Sequence, residues 1–166
     1  MKVLLSVFGL VLMLQFGCAS KTETSSAAMP TELQKAKTES QKLIADGIKF
    51  DFAGNADGMT GEGGTYTGHS YESSDKINIG TRVGIYKSEE NAAKRFEDEL
   101  KQPINIIVRD IGNDGGNVER AVAVSNEADS SGKSYFVIKK KENRCAVYFS
   151  RSLKHLLAFE KWRDKN

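Results

Sequence analysis

The clearest pattern in this chain is the alternation between Ile77 and Tyr86. Ile77, Ile79, Val83 and Ile85, with Thr81 among them, fall on one parity, and Asn78, Gly80, Arg82, Gly84 and Tyr86 fall on the other. A period of two marks a strand with one face on a core. Tyr66 to Ser73 reads as a preceding strand, with Asp75 in the turn between them. The period then lengthens. Ser88 is placed to cap a helix with Glu89 and Glu90 in its first turn, where the dipole favours acids. Ala92, Ala93, Phe96 and Leu100 form its buried stripe, and Pro103 stops it. Four more strands follow, Ile104 to Ile111, Val118 to Ser125, Tyr135 to Lys141 and Arg144 to Ser150. Their short joints, among them Asn113-Asp114-Gly115-Gly116, require antiparallel neighbours. Ser152 heads a last helix carrying Leu153, Leu156, Leu157, Phe159 and Trp162.

The order ββαββββα predicts an α+β domain over 66–166, a twisted antiparallel sheet of about six strands with its helices packed on one face. Ahead of it, Thr31 to Ile48 has helical spacing at Leu33, Ala36, Ser40, Leu43, Ile44 and Gly47, but the stripe is thin. Seven of the fifteen glycines lie between positions 47 and 68. Glycine loses the most backbone freedom on ordering, so residues 53–65 are expected to form a loop, and 31–65 a helix plus linker.

The start of the chain has a different pattern. After Met1-Lys2, Val3 to Leu14 is apolar apart from Ser6 and Gly9, and Gln15-Phe16-Gly17-Cys18 follows. A basic start, an apolar run and a small residue before a cleavage point make an export signal. The run is short of the ~20 apolar residues a membrane span needs. The segment resembles a bacterial lipoprotein signal, over residues 1–17. That resemblance implies a diacylglycerol thioether on Cys18, cleavage before it and acylation of the new amine. Gln15 and Phe16 stand where the family carries an aliphatic and a small residue. Cleavage after Ala19, which would release a soluble periplasmic or secreted protein, therefore stays open. Ala19 in second place resembles the class directed to the outer membrane. Residues 18–30, Ser/Thr/Ala-rich, then form the anchor and a tether spanning roughly 20 Å.

Composition narrows the function classes. Without the leader, 149 residues remain, one domain's worth, with 23 basic residues against 22 acidic. Nucleic-acid binders show a clustered basic excess, so no such partner is expected, and no cofactor either. With Cys18 lipidated, Cys145 is the remaining thiol. It shares parity with Val147 and Phe149 and reads as a buried small hydrophobe. His69 and His155 stand apart without clustered ligands, so no metal site is expected, and His155 reads as a half-exposed surface residue. Asp51, Asn55, Asp57 and Glu62 fail the calcium-loop spacing. Gly132-Lys133-Ser134 lacks the upstream glycine and the helix of a phosphate loop.

Three function classes remain. The leading expectation is a non-enzymatic binding domain, partnered by the membrane through its N-terminal lipid and by an envelope protein or small ligand. Its contact face is Asn78, Arg82 and Tyr86, where Gly80 and Gly84 leave room for approach or merely let the strand bend. A hydrolase using Ser70 and His69 is the second class, suggested by Gly68-His69-Ser70-Tyr71-Glu72, one residue away from a nucleophile elbow. A structural spacer is the third. The basic residues Lys139, Lys140, Lys141, Arg144, Arg151, Lys154, Lys161, Arg163 and Lys165 suit anionic headgroups, though acids are interspersed as on an ordinary solvated face.

The anchor is the part of this reading most directly tested. Cys18→Ser is expected to move the protein from the detergent phase to the aqueous phase and to abolish fatty-acid labelling. An unlabelled wild type beginning at Ser20 would replace the anchor with simple secretion.

Overall fold

A computed structural model describes residues 28–61, 64–101, 105–112, 118–126 and 132–165; Cys18 and most of the tether lie outside them. The elements are α1 (Ala28–Ala45), β1 (Phe50–Gly61), β2 (Gly64–Ser73), β3 (Asn78–Tyr86), α2 (Glu89–Leu100), β4 (Asn105–Gly112), β5 (Val118–Asn126), β6 (Lys133–Lys141), β7 (Arg144–Ser150) and α3 (Leu153–Arg163). The strands make one sheet in the order β1-β2-β3-β7-β6-β5-β4, antiparallel throughout. The chain runs inward from one edge through β3. It crosses to the far edge by way of α2 and meanders back, so that β7 closes against β3.

The α+β class and the antiparallel pairing agree with the sequence pattern. Two features differ. There are seven strands rather than about six, because residues 50–61 form a strand where a loop was expected over 53–65. β1 is an edge strand with register shifts between Phe52 and Gly54 and between Ala56 and Met59. Edge position and bulges tolerate glycine, and a partner strand overrides the local propensity that made the segment read as a linker. The boundary expected near residue 65 accordingly falls inside the β1–β2 hairpin, and Leu33, Ala36 and Phe50 share one core with Leu156 and Phe159.

The second difference is that helices cover both faces. α1 and α3 lie on the face formed by Ile79, Val122, Val124, Val137 and Tyr148. α2 lies on the opposite face, where Phe96 and Leu100 pack against Ala121, Ile138, Cys145 and Val147. Consecutive residues of β5 (Ala121, Val122) and β6 (Val137, Ile138) are therefore buried on opposite sides. A sheet buried on both faces has continuous apolar runs in its central strands. The alternation of β3, which lies toward one side of the sheet, does not report this.

Local chemistry sets the helix ends. Asn91 N–H donates to Ser88 Oγ at 3.2 Å, capping α2. α1 ends in a Schellman turn: Gly47 adopts φ +76°, its N–H donates to Ile44, and Ile48 N–H donates to Leu43. Gly47, counted with the apolar stripe in the sequence, is this left-handed cap. The turn returns the chain toward the sheet at Phe50, so α1 is packed against α3 rather than loosely attached.

On the α1/α3 face, Glu160 of α3 is 6% exposed and accepts two hydrogen bonds from Arg120 of β5, each 2.7 Å. Lys139 adds a bond to Asp164 at 2.8 Å and sits 3.6 Å from Glu160. Burial pulls the Arg120 guanidinium's pKa down, and the carboxylates of Glu160, Asp110 and Asp164 together more than offset this, leaving it raised. Removing one partner of such a pair strands the other's charge. Glu160→Gln is expected to lower stability in urea by about 3 kcal/mol, while Lys35→Gln, an exposed control on α1, stays within about 0.5 kcal/mol. Equal stability of the two variants would show that the pair contributes nothing.

Candidate functional site

The expected contact residues lie on β3, on the face that α2 covers in part. Asn78 and Arg82 are exposed, whereas Tyr86 is half-buried. Tyr86 sits beside the end of α2 in a notch with Tyr66, Arg82, Gly84, Arg95, Glu99, Cys145 and Val147, with about 10 Å³ of free space. It thus departs from the open position expected of it. α2, placed by the crossover, takes it into the packing. Burial pushes the Tyr86 hydroxyl above its usual pKa, with Cys145 and Glu99 nearby adding to the effect and Arg95 opposing it.

The space above the two glycines is filled from within. A Cβ at Gly80 would collide with the ring of Phe149 on β7, and one at Gly84 with the ring of Tyr86. The register explains the first contact, since Gly80 pairs directly with Phe149. An aromatic ring lying over a cross-strand glycine is a known device for covering exposed backbone. The glycines therefore serve aromatic packing, not the open approach or simple bending weighed from sequence.

What remains open on this face is a patch at the border of α2. Phe149 is 36% exposed, and the half-buried Phe136 lies beside it at 6.4 Å between centroids. The Arg82 guanidinium stands 5.9 Å above the Phe149 ring, and among the described residues no carboxylate pairs with it. Asn78 extends the patch toward the β2–β3 turn, its carbonyl accepting from Ser150 Oγ at 2.9 Å. By parity the sequence places Phe149 with Cys145 and Val147. Its position against Gly80 and Arg82 depends on a pairing between residues 67 to 69 positions apart.

Beneath α2 the polar groups are paired. Arg95 donates to Glu99, which is 7% exposed. Cys145 is buried as expected, and burial pushes its thiol up to about 12. A thiol so placed is protonated and a poor nucleophile at neutral pH.

The structure separates the residues of the hydrolase reading. His69 and Ser70 are adjacent on β2 and so point to opposite faces. His69 Nδ1 meets Asn55 Oδ1 at 2.9 Å, and Ser70 Oγ donates to the carbonyl of Gly54 at 3.3 Å. A different constellation forms where none was expected. His155 is 4% exposed rather than half-exposed, with Nδ1 2.7 Å from Ser152 Oγ and Nε2 3.0 Å from Asp75 Oδ2. The Ser152–His155 spacing of three residues at a helix start was a local signal of contact. Asp75 comes from a turn eighty residues earlier, and no local pattern links it to His155. Since Ser152 Oγ is engaged with His155, it makes no cap bond to the α3 amides.

Among the described residues no group of three or more His, Cys, Asp or Glu is arranged to hold a metal, and no helix is long and apolar enough to cross a membrane. No protein-family model, no curated protein and no solved structure matches this chain.

Proposed function

We propose that this chain is a lipid-anchored protein of the bacterial envelope, directed to the outer membrane, whose domain works by binding another envelope protein rather than by catalysis. The observation that carries the binding reading is the patch of Asn78, Arg82, Phe136 and Phe149 left open beside α2. Arginine and aromatic residues are enriched in contact surfaces and among the residues that dominate binding energy. An exposed ring under a guanidinium without a carboxylate partner suits a surface offering an acid beside an apolar side chain. A spacer without a partner would be favoured by a uniformly charged face, and this face carries two phenylalanines. Cys18 and the tether would hold the domain within reach of partners on the same membrane.

A photo-crosslinking residue at the exposed Asn78, which leaves Arg82 in place, is expected to capture one discrete partner in intact envelopes, and one at Lys35 on the opposite side to capture none. Arg82→Ala is expected to reduce partner recovery about tenfold, a loss of ~1.4 kcal/mol. Its melting temperature should not move, since the side chain is exposed. The same adducts from both positions would remove the patch as a contact site.

A second reading is favoured by one observation, the hydrogen-bonded chain Asp75–His155–Ser152. With Nε2–H donated to the carboxylate, the Nδ1 lone pair faces the serine hydroxyl, the proton arrangement that nucleophilic catalysis needs. Relative to the serine-protease triad the two ring nitrogens are exchanged. A fluorophosphonate probe should then label wild type and not Ser152→Ala. An unlabelled wild type would leave the three residues as a brace between the β2–β3 turn and α3.

A further inference from the structure

At the shared end of α1 and α3, on the face away from α2, the surface opens into a notch of about 180 Å³ lined by Ile44, Ile48, Lys161, Trp162 and Lys165. Its walls follow from local structure. The Schellman turn at Gly47 carries Ile44 and Ile48 around the end of α1, which brings two branched apolar side chains to one opening. The Trp162 indole is held from behind by the rings of Phe159, Phe50 and Tyr71, at 5.5, 5.7 and 5.9 Å between centroids. Lys161 lies in the last turn of α3, Lys165 lies in the turn just past it with its N–H donating to the Trp162 carbonyl at 3.2 Å, and both side chains line the opening.

The opening also carries charge. Elsewhere on the α1/α3 side, Arg120 and Lys139 are paired with Glu160 and Asp164, and Lys154 lies 3.8 Å from Glu39. Lys161 and Lys165, at the mouth of the notch, have no carboxylate within ion-pair distance among the described residues. An apolar hollow ringed by two unneutralised ammonium groups is complementary to a ligand with an apolar body and an anionic end. The space admits a short run of methylenes rather than a folded lipid.

We propose that this notch binds a single-chain acyl carboxylate, a free fatty acid. The methylenes nearest the head pack on Ile44, Ile48 and Trp162, and the carboxylate is held by Lys161 and Lys165. The site lies on the opposite side of the sheet from the Arg82–Phe149 patch and does not depend on that patch having a partner.

Trp162 is the single tryptophan of the chain, so its emission reports the notch directly. The full chain in its Cys18→Ser form is titrated with alkanoates from six to twelve carbons and with bromine-labelled decanoate. Bromodecanoate is expected to quench Trp162 saturably. Affinity should rise about three- to fourfold per added methylene until the hollow is filled and then level off. Lys161→Gln with Lys165→Gln, both exposed positions, is expected to weaken decanoate about tenfold while leaving the melting temperature and decanol binding unchanged. Absence of saturable quenching would overturn the proposal. Equal affinity of the lysine double variant and wild type for decanoate would also overturn it, because the surface would then be merely apolar. Quenching by brominated phosphatidylglycerol vesicles but not by the monomeric acid would assign the surface to a bilayer instead.

Discussion

Phe159 is the side chain on which the largest part of the structure depends. It has no exposed surface, and its ring meets Phe50 of β1, Tyr71 of β2, Tyr148 of β7 and Trp162 of α3 at centroid distances of 5.0 to 5.6 Å. Contributions from the first strand, the sheet centre and the last helix thus converge on one point. Rings packed edge-on and tilted each add to the area they bury. This cluster is what gathers the glycine-dense β1, which has little apolar bulk of its own, into the main core.

The other organising constraint is the crossover. β3 must reach the far edge of the sheet before the chain can meander back to β7, and α2 is the connection that takes it there. Because α1 and α3 already occupy one face, α2 packs on the other, against Ala121, Ile138, Cys145 and Val147. A twelve-residue helix cannot cover a seven-stranded sheet. The face is therefore divided into a covered part, where Glu99 and Cys145 are buried and Tyr86 is half-buried, and an open part, which holds Arg82, Phe149 and the half-buried Phe136. The candidate contact face is the remainder left by that packing.

Two of the polar groupings on the α1/α3 side tie distant segments to α3. Glu160 takes Arg120 from β5 and Lys139 from β6 at the C-terminal end, and His155 takes Asp75 from the β2–β3 turn at the start. Each satisfies groups whose burial would otherwise be costly. The notch of Ile44, Ile48 and Trp162 lies just past the first of these, where the paired charges give way to Lys161 and Lys165.

Local pattern in the sequence determined the strands and helices from Tyr66 onward, the Ser88 cap, the antiparallel pairing and the burial of Cys145. Each follows from residues within a few positions of one another, so periodicity and capping chemistry were enough. It also made Asn78 and Arg82 exposed members of one strand face. Tertiary structure decided what depends on distant pairing. It converted the glycine-rich 50–61 into an edge strand and put α2 on the face opposite α1 and α3. It laid Phe149 over Gly80 beneath Arg82, and it brought Asp75 to His155. These outcomes rest on a partner strand and the distant ring of Phe159 for 50–61, on contacts between residues 67 to 80 positions apart for Phe149 and His155, and on which side of a sheet a crossover runs for α2. None of these is encoded in the period of a single segment.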